Sequence, residues 1–203
     1  MPKVSADYLS ARRAHILDAA ATRFAEQGFH RSSMQDVINE AGLSPGAVYR
    51  YFRSKDDIIV AISLEAMALV ETVVREGLES GRLVGPLIAD LPAALLRQSR
   101  ADDRMRLAVQ AWGEALRNPT LAAAMQHGLT GVLHALSERV RAAQQEGSAS
   151  SEADATEIAR VLLALVQGFI LQRCMEPLID PDAFGRAIRG VLSSALMDDV
   201  PTQ

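Results

Sequence analysis

The sequence predicts an all-α fold, and three observations predict it. Aromatic residues make up only 4% of a chain dominated by alanine and leucine, a mix that suits helices better than strands. Apolar residues recur every three or four positions along almost the whole length. The segments so marked open on serine, aspartate or proline and close on glycine or proline. With 49% hydrophobic and 23% charged residues over 203 positions, the chain has the makings of a packed core rather than of a disordered segment.

The elements follow in order. A first helix is expected from about Ser10 to Gln27 on a stripe of Ile16, Leu17, Ala20 and Phe24. Gly28 follows as its terminating residue, which makes Phe24 and Phe29 the pair that meets in a Schellman ending. A short second helix opens at Ser33, with Asp36 three residues on to complete a capping box. Met34, Val37, Ile38 and Ala41 face inward, and Gly42 stops it, pairing Ile38 with Leu43. A third short helix has Ser44 as its N-cap and Pro45 at its first position. A fourth opens at Ser54, with Asp57 closing a second box, and runs to about Glu79. Gly81, Gly85 and Pro86 read as a break, and Pro92 makes the next helix, about Leu87 to Gln98, short or kinked. Residues 103–117 read as a helix ended by Asn118-Pro119, and 120–145 as a long one. The run Glu146 to Glu152 is a loop. Helices at 154–175 and 181–197 close the chain.

Composition also excludes. The net charge of -4 rules out a uniformly basic nucleic-acid coat. Residues 1–60 carry eight Lys/Arg against seven Asp/Glu, and the remainder thirteen against eighteen. That asymmetry fits an N-terminal anion-binding module followed by an acidic partner domain. Cys174 is the single cysteine, so it forms no intrachain disulfide and reads as a buried thiol. The opening MPKVSADYLS lacks the apolar core of a signal peptide. No apolar run reaches the roughly 18 residues of a membrane span, so a cytoplasmic protein without membrane partners is expected. The chain carries no HExxH, GxSxG or phosphate-loop motif, and enzyme activity is not expected. His127 and His134 share a helix face with Glu138, but the spacing skips a turn and no fourth ligand is near, so neither metal nor other cofactor is expected. His15 and His30 have no partners in sequence and read as surface or packing residues.

The segment from Ser33 to Lys55 is the informative one. Two capped short helices joined by a glycine turn form an angled pair, and neither is long enough to be stable without a platform. In the third helix Val48 and Phe52 are four apart and face that platform. Pro45, Gly46, Tyr49 and Arg50 are then left to solvent or a ligand, with Tyr51 at the flank. Between Ser44 and Lys55 there are three cations, Arg50, Arg53 and Lys55, and no acid. The helix starts offer unpaired N–H groups and the positive dipole end to phosphate oxygens. Gly46 and Ala47 permit close approach to base edges. One helix fits the width of a major groove. Each residue alone has a bland reading as cap, packing or solvated surface; together they predict a helix-turn-helix that reads duplex DNA.

Over Arg13 to Ile62 the sequence RAHILDAAATRFAEQGFHRSSMQDVINEAGLSPGAVYRYFRSKDDIIVAI resembles the TetR (tetracycline repressor-like) regulators. The resemblance implies that Ser33 touches phosphate and that Pro45 to Tyr51 lies in the major groove. It assigns Tyr49, Arg50 and Tyr51 to phosphate or base contact and Lys55 to phosphate. Asn39 and Ser33 stand where the family often has alanine and threonine. The division it implies is a helix-turn-helix domain over residues 1–53 and a helical effector-binding and dimerisation domain over 54–203.

The second domain is read more loosely. In the helix at 154–175, Ile158, Val161, Leu162, Leu165, Val166, Phe169 and Ile170 spread over a broad apolar arc; in the last helix Phe184, Ile188, Val191, Leu192 and Leu196 do the same. Helices this apolar are buried within one chain or shared with a second. Specificity from one recognition helix usually needs a dimer on a palindromic site, and the resemblance implies a homodimer through the last two helices. Gly168 and Gly185 are candidates for close approach. The resemblance also implies a small-molecule effector among the middle helices. Met105, Val109, Trp112, Leu116, Met125 and Leu129 are the candidate lining and equally read as core; Trp112 suits a hydrophobic or aromatic ligand. Repression relieved by that ligand is the expected mode, with ligand-independent regulation and activation left open.

Overall fold

The computed structural model describes residues 6–98 and 100–197. The first five residues, read above as lacking a signal-peptide core, lie outside them, as does the side chain of Leu196. The elements are α1 (Ala6–Gln27), α2 (Met34–Ala41), α3 (Pro45–Tyr49), α4 (Lys55–Glu79), α5 (Val84–Leu96), α6 (Ala101–Ala115), α7 (Pro119–Gln145), α8 (Ala155–Met175) and α9 (Pro181–Met197). Among the described residues there is no strand.

Most boundaries fall where the caps put them, and the departures have local causes. α1 begins at Ala6, before Ser10, where Arg12 donates to the Tyr8 hydroxyl at 2.9 Å and lies over its ring, a pair one turn apart that supports a helix. α5 begins at Val84, so Pro86 falls in its first turn, where the missing N–H would have had no intrahelical partner. Pro92 is buried inside α5 without ending it. α7 starts on Pro119, with the Asn118 side chain accepting the Leu121 N–H at 3.0 Å.

The chain forms two compact units, Met1–Ala66 with Asp103–Gln126, and Met67–Asp102 with His127–Gln203. In the first, α1 packs on α2 and α2 on α3. Its core holds Ile16, Leu17, Ala20 and Phe24 of the expected stripe, with Val37, Ile38, Val48, Phe52 and Ile58. In the second, α5 packs on α9 and α8. A Cβ on Gly185 would collide with the Ala89 carbonyl, so this glycine lets two helices of one chain approach, not two chains. Gly168 has no such neighbour; a Cβ there would meet only Gln172, at 4.0 Å. Asp90 of α5 bridges Arg82 and Arg189.

α8 is long and apolar enough, by length and composition, to cross a membrane. Its apolar character already has a use in the second unit, where Ala155, Ala159, Leu162, Val166, Phe169 and Ile170 are buried. Cys174 is half-buried rather than a core thiol.

Candidate nucleic-acid interface

The interface is built from the caps outward. Ser33 is the N-cap of α2: its hydroxyl accepts the Asp36 N–H at 3.2 Å and donates to Asp36 Oδ2 at 2.7 Å, while its own N–H donates to the same carboxylate oxygen at 2.8 Å. These bonds from the Ser33 side chain and backbone hold the Asp36 carboxyl below the usual aspartate range, with Arg23 adding a smaller effect. At the other end Gly42 takes φ +62. Its N–H donates to the Asn39 carbonyl at 3.1 Å and the Leu43 N–H donates to Ile38 at 3.3 Å, which is the Schellman ending expected. The His15 imidazole bonds the terminal Ala41 carbonyl at 2.9 Å, so His15 has a partner that lies 26 residues away.

α3 follows after three residues. Ser44 Oγ accepts the Ala47 N–H at 3.3 Å. Val48 and Phe52 are buried, and the Arg13 guanidinium lies 5.4 Å over the Phe52 ring. That anchoring turns the rest of the element outward. Ser44, Pro45, Gly46 and Arg50 are exposed, Ala47 and Tyr51 are half-buried, and Tyr49 is 48% exposed. The salt bridges of this unit engage Arg13, Arg23, His30 and Arg117. They leave Arg31, Arg50 and Arg53, all exposed, without an acidic partner among the described residues. Arg53 is one of the three cations expected on this segment, whereas Arg31 was not named from sequence and its solvent exposure is a tertiary fact.

Lys55 has other company. Its ammonium donates to the carbonyls of Phe29 at 2.7 Å and Ser32 at 3.0 Å. The turn it grips differs from expectation in one respect. Gly28, at φ +81, donates to the Phe24 carbonyl at 2.8 Å, and the Phe24 and Phe29 rings meet edge to face at 5.3 Å. The Phe29 N–H, however, donates to Gln110 Oε1 of α6 at 3.0 Å. α1 therefore ends in the simpler left-handed cap, because α6 supplies the acceptor that a Schellman ending would have found in α1 itself. His30 is likewise partnered from α6 and the turn that follows it, with Nε2 3.1 Å from Glu114 Oε2 and 2.9 Å from Arg117 Nη2.

The remaining candidates divide by burial. Met105 and Met125 are core residues of the first unit, with Val109 and Trp112 half-buried beside them in sequence. Leu116 follows the end of α6 and is 88% exposed. Leu129 is half-buried and belongs to the second unit. On α8 and α9, Leu162, Phe169 and Ile188 are buried in their own chain; Ile158, Leu165, Phe184 and Leu192 are half-buried; Val191 is exposed. The helical period had merged two faces that burial separates.

Two capped helices at a glycine turn, with an outward surface of tyrosine and unpaired arginine, define a DNA-binding regulator of transcription. The chain belongs to the TetR family. Residues 16–62 match bacterial regulatory proteins of the tetR family, and residues 88–197 match the BetI-type transcriptional repressor C-terminal region. The transcriptional regulator UidR of Escherichia coli strain K12 is 29% identical over 184 residues, which cover 91% of this chain and 92% of UidR. The structure of Salmonella enterica GusR superposes with a TM-score of 0.80 at 30% identity, covering 96% of this chain and 98% of GusR. SmeT solved with triclosan superposes at 0.75 and 24% identity, covering 95% of each chain, and shows the shared fold.

Proposed function

We propose that this regulator is a homodimeric repressor that occupies a palindromic operator and is released by a small hydrophobic or aromatic effector. The observation that carries the DNA part is the acid-free surface presented when Val48 and Phe52 are buried. Pro45, Gly46 and Ala47 approach base edges; Tyr49, Arg50 and Tyr51 contact bases or phosphate; Ser33 and Ser44 present helix starts to the backbone. Residues 1–53 act as the reading head and 54–203 as the effector and dimerisation domain of a cytoplasmic protein.

Dimerisation is supported by the face that α8 and α9 leave uncovered. Val161, Leu171 and Met175 of α8 and Val191 of α9 are exposed, with Ile158, Leu165 and Leu192 half-buried beside them. These replace Leu162, Phe169 and Ile188 as the residues offered to a second copy. Release by ligand is supported by the relation to SmeT, a repressor of a multidrug efflux pump solved with triclosan. Met105, Val109, Trp112 and Met125 are the effector-facing residues; Leu116, standing in solvent, drops out.

Selection of bound sequences from random duplex DNA tests the reading. The expected product is an inverted repeat whose half-sites lie about 34–36 Å apart or a multiple of that spacing. Enrichment of no sequence, or of a single unrepeated half-site, sinks it. Titrating triclosan and related aromatic compounds into the complex tests release. A complex that no Trp112-quenching ligand weakens removes the effector part.

A further inference from the structure

The second unit holds a carboxylate that its helix pattern does not call for. Along the part of α4 in this unit, Val74 is buried and Met67 and Leu78 are half-buried, at the spacing of one inward stripe. Glu71 stands within that stripe, one turn from Met67 and one from Val74, and is itself half-buried. Its acid group lies against α7. A Cβ placed on Gly131 would stand 2.8 Å from the Glu71 carboxyl carbon and 2.8 and 2.9 Å from its two oxygens. A Cβ on Gly128, one turn earlier, would stand 2.7 Å from Met67 Sδ. The two glycines therefore open a notch in α7, and the carboxylate occupies it.

The chain does not neutralise this charge. No hydrogen bond or ion pair reaches Glu71 among the described residues. Arg75, four residues on, is placed for the favourable glutamate-to-arginine pair, but it reaches Glu79 instead, at 3.8 Å. A charge drawn out of water without a partner costs stability, and a few placed polar groups in apolar surroundings are what orient a small ligand. We infer that Glu71 is the charge-reading residue of the second unit, and that it takes the cationic head of an organic amine whose apolar body lies along the α4 stripe. Among the described residues no group of three or more His, Cys, Asp or Glu stands together, so a divalent metal ion would lack the ligands it needs. A protonated amine needs one carboxylate, to which it donates charge-assisted hydrogen bonds. The inference rests on the effector reading above and adds the charge of the effector to it.

The test titrates the whole chain, free of DNA and at neutral pH, with phenylalkylamines, the matching phenylalkanols and the matching phenylalkanoates, read by calorimetry. The parent is expected to bind the amines about tenfold or more tighter than the alcohols, the worth of a charge-assisted hydrogen bond, and to bind the acids least. Glu71→Gln keeps the shape and removes the charge; it should lose that preference while holding its affinity for the alcohols. Gly131→Ala keeps the charge but fills the notch. It should weaken amine binding about tenfold with helical content kept. A parent that binds no amine, or binds amines no tighter than alcohols, overturns the inference, as does a preference that survives in Glu71→Gln. If Glu71→Gln does not fold, Gly131→Ala decides, and unchanged amine affinity there overturns the inference. Adding the same compounds to the parent on its selected duplex separates the two readings. Amines that bind through Glu71 yet leave the DNA complex intact remove the release reading and keep the site. A neutral or acidic compound that releases the parent and Glu71→Gln alike keeps release and overturns the charge inference.

Discussion

Tyr49 shows how one neighbour decides the fate of another. Val48 is buried and so directs the adjacent ring outward, where half of it meets solvent. Tyr49→Ala should therefore leave helicity and denaturation midpoint unchanged while lowering DNA affinity about tenfold or more, the loss of a hydrogen bond to a charged group. A fall in helicity would show the ring to be core. Asp36 carries a second prediction. Its carboxyl is held low by the Ser33 hydroxyl and backbone, so its contribution is present above the ordinary aspartate value of about 3.9 and is lost as pH falls through the lower folded value. Asp36→Asn should be less stable than the parent at neutral pH, and the two stabilities should converge below that window. Parallel curves down to the lowest pH would show that the box adds no acid-sensitive stability.

At the scale of the element, glycine conformation and proline placement explain most of what is observed. Gly42 has φ +62 and open space around it, so Gly42→Ala meets no steric clash beyond the backbone itself. It should cost about 1–2 kcal/mol in urea denaturation, the strain of a left-handed L-residue. A neutral result would mean that the turn relaxes. Gly185 is different: its backbone conformation is unremarkable, and what it supplies is the space that lets α9 lie on the α5 backbone at Ala89. Pro86 and Pro92 sit in one helix, the first harmless because the opening turn has spare donors, the second tolerated at the loss of one backbone bond.

The whole molecule puts α8 to two uses. One face builds the core of the second unit through Leu162, Val166 and Phe169, and the other leaves Val161 60% exposed, in keeping with Val191 of α9 at 62%. If that second face joins two copies, Val161→Asp with Val191→Asp should convert a dimer to a monomer in sedimentation at micromolar concentration. Operator affinity should fall with it, while the helical content of each chain is kept. A double variant that sediments as the parent does would place the dimer contact elsewhere or show that there is none.

The local signals were legible in the sequence. Ser33 with Asp36, Ser44 with Pro45, Ser54 with Asp57, and Gly28 and Gly42 each act within a few residues of themselves. Caps and left-handed terminators depend on backbone chemistry that neighbours in sequence supply. The outward set of Pro45, Gly46, Tyr49 and Arg50 was legible for the same reason, since one helical turn fixes which side chains oppose Val48 and Phe52. What only the tertiary structure decided involves partners far apart in the chain. Gln110 ends α1 across 81 residues, Lys55 grips a turn 26 residues away, and His15 caps α2. Periodicity marks a residue as apolar without saying which of two apolar faces it joins, so Phe169 and Val161 were separable only by burial. Short-range hydrogen bonding is written in adjacent letters; which distant donor meets which acceptor is settled when the helices pack.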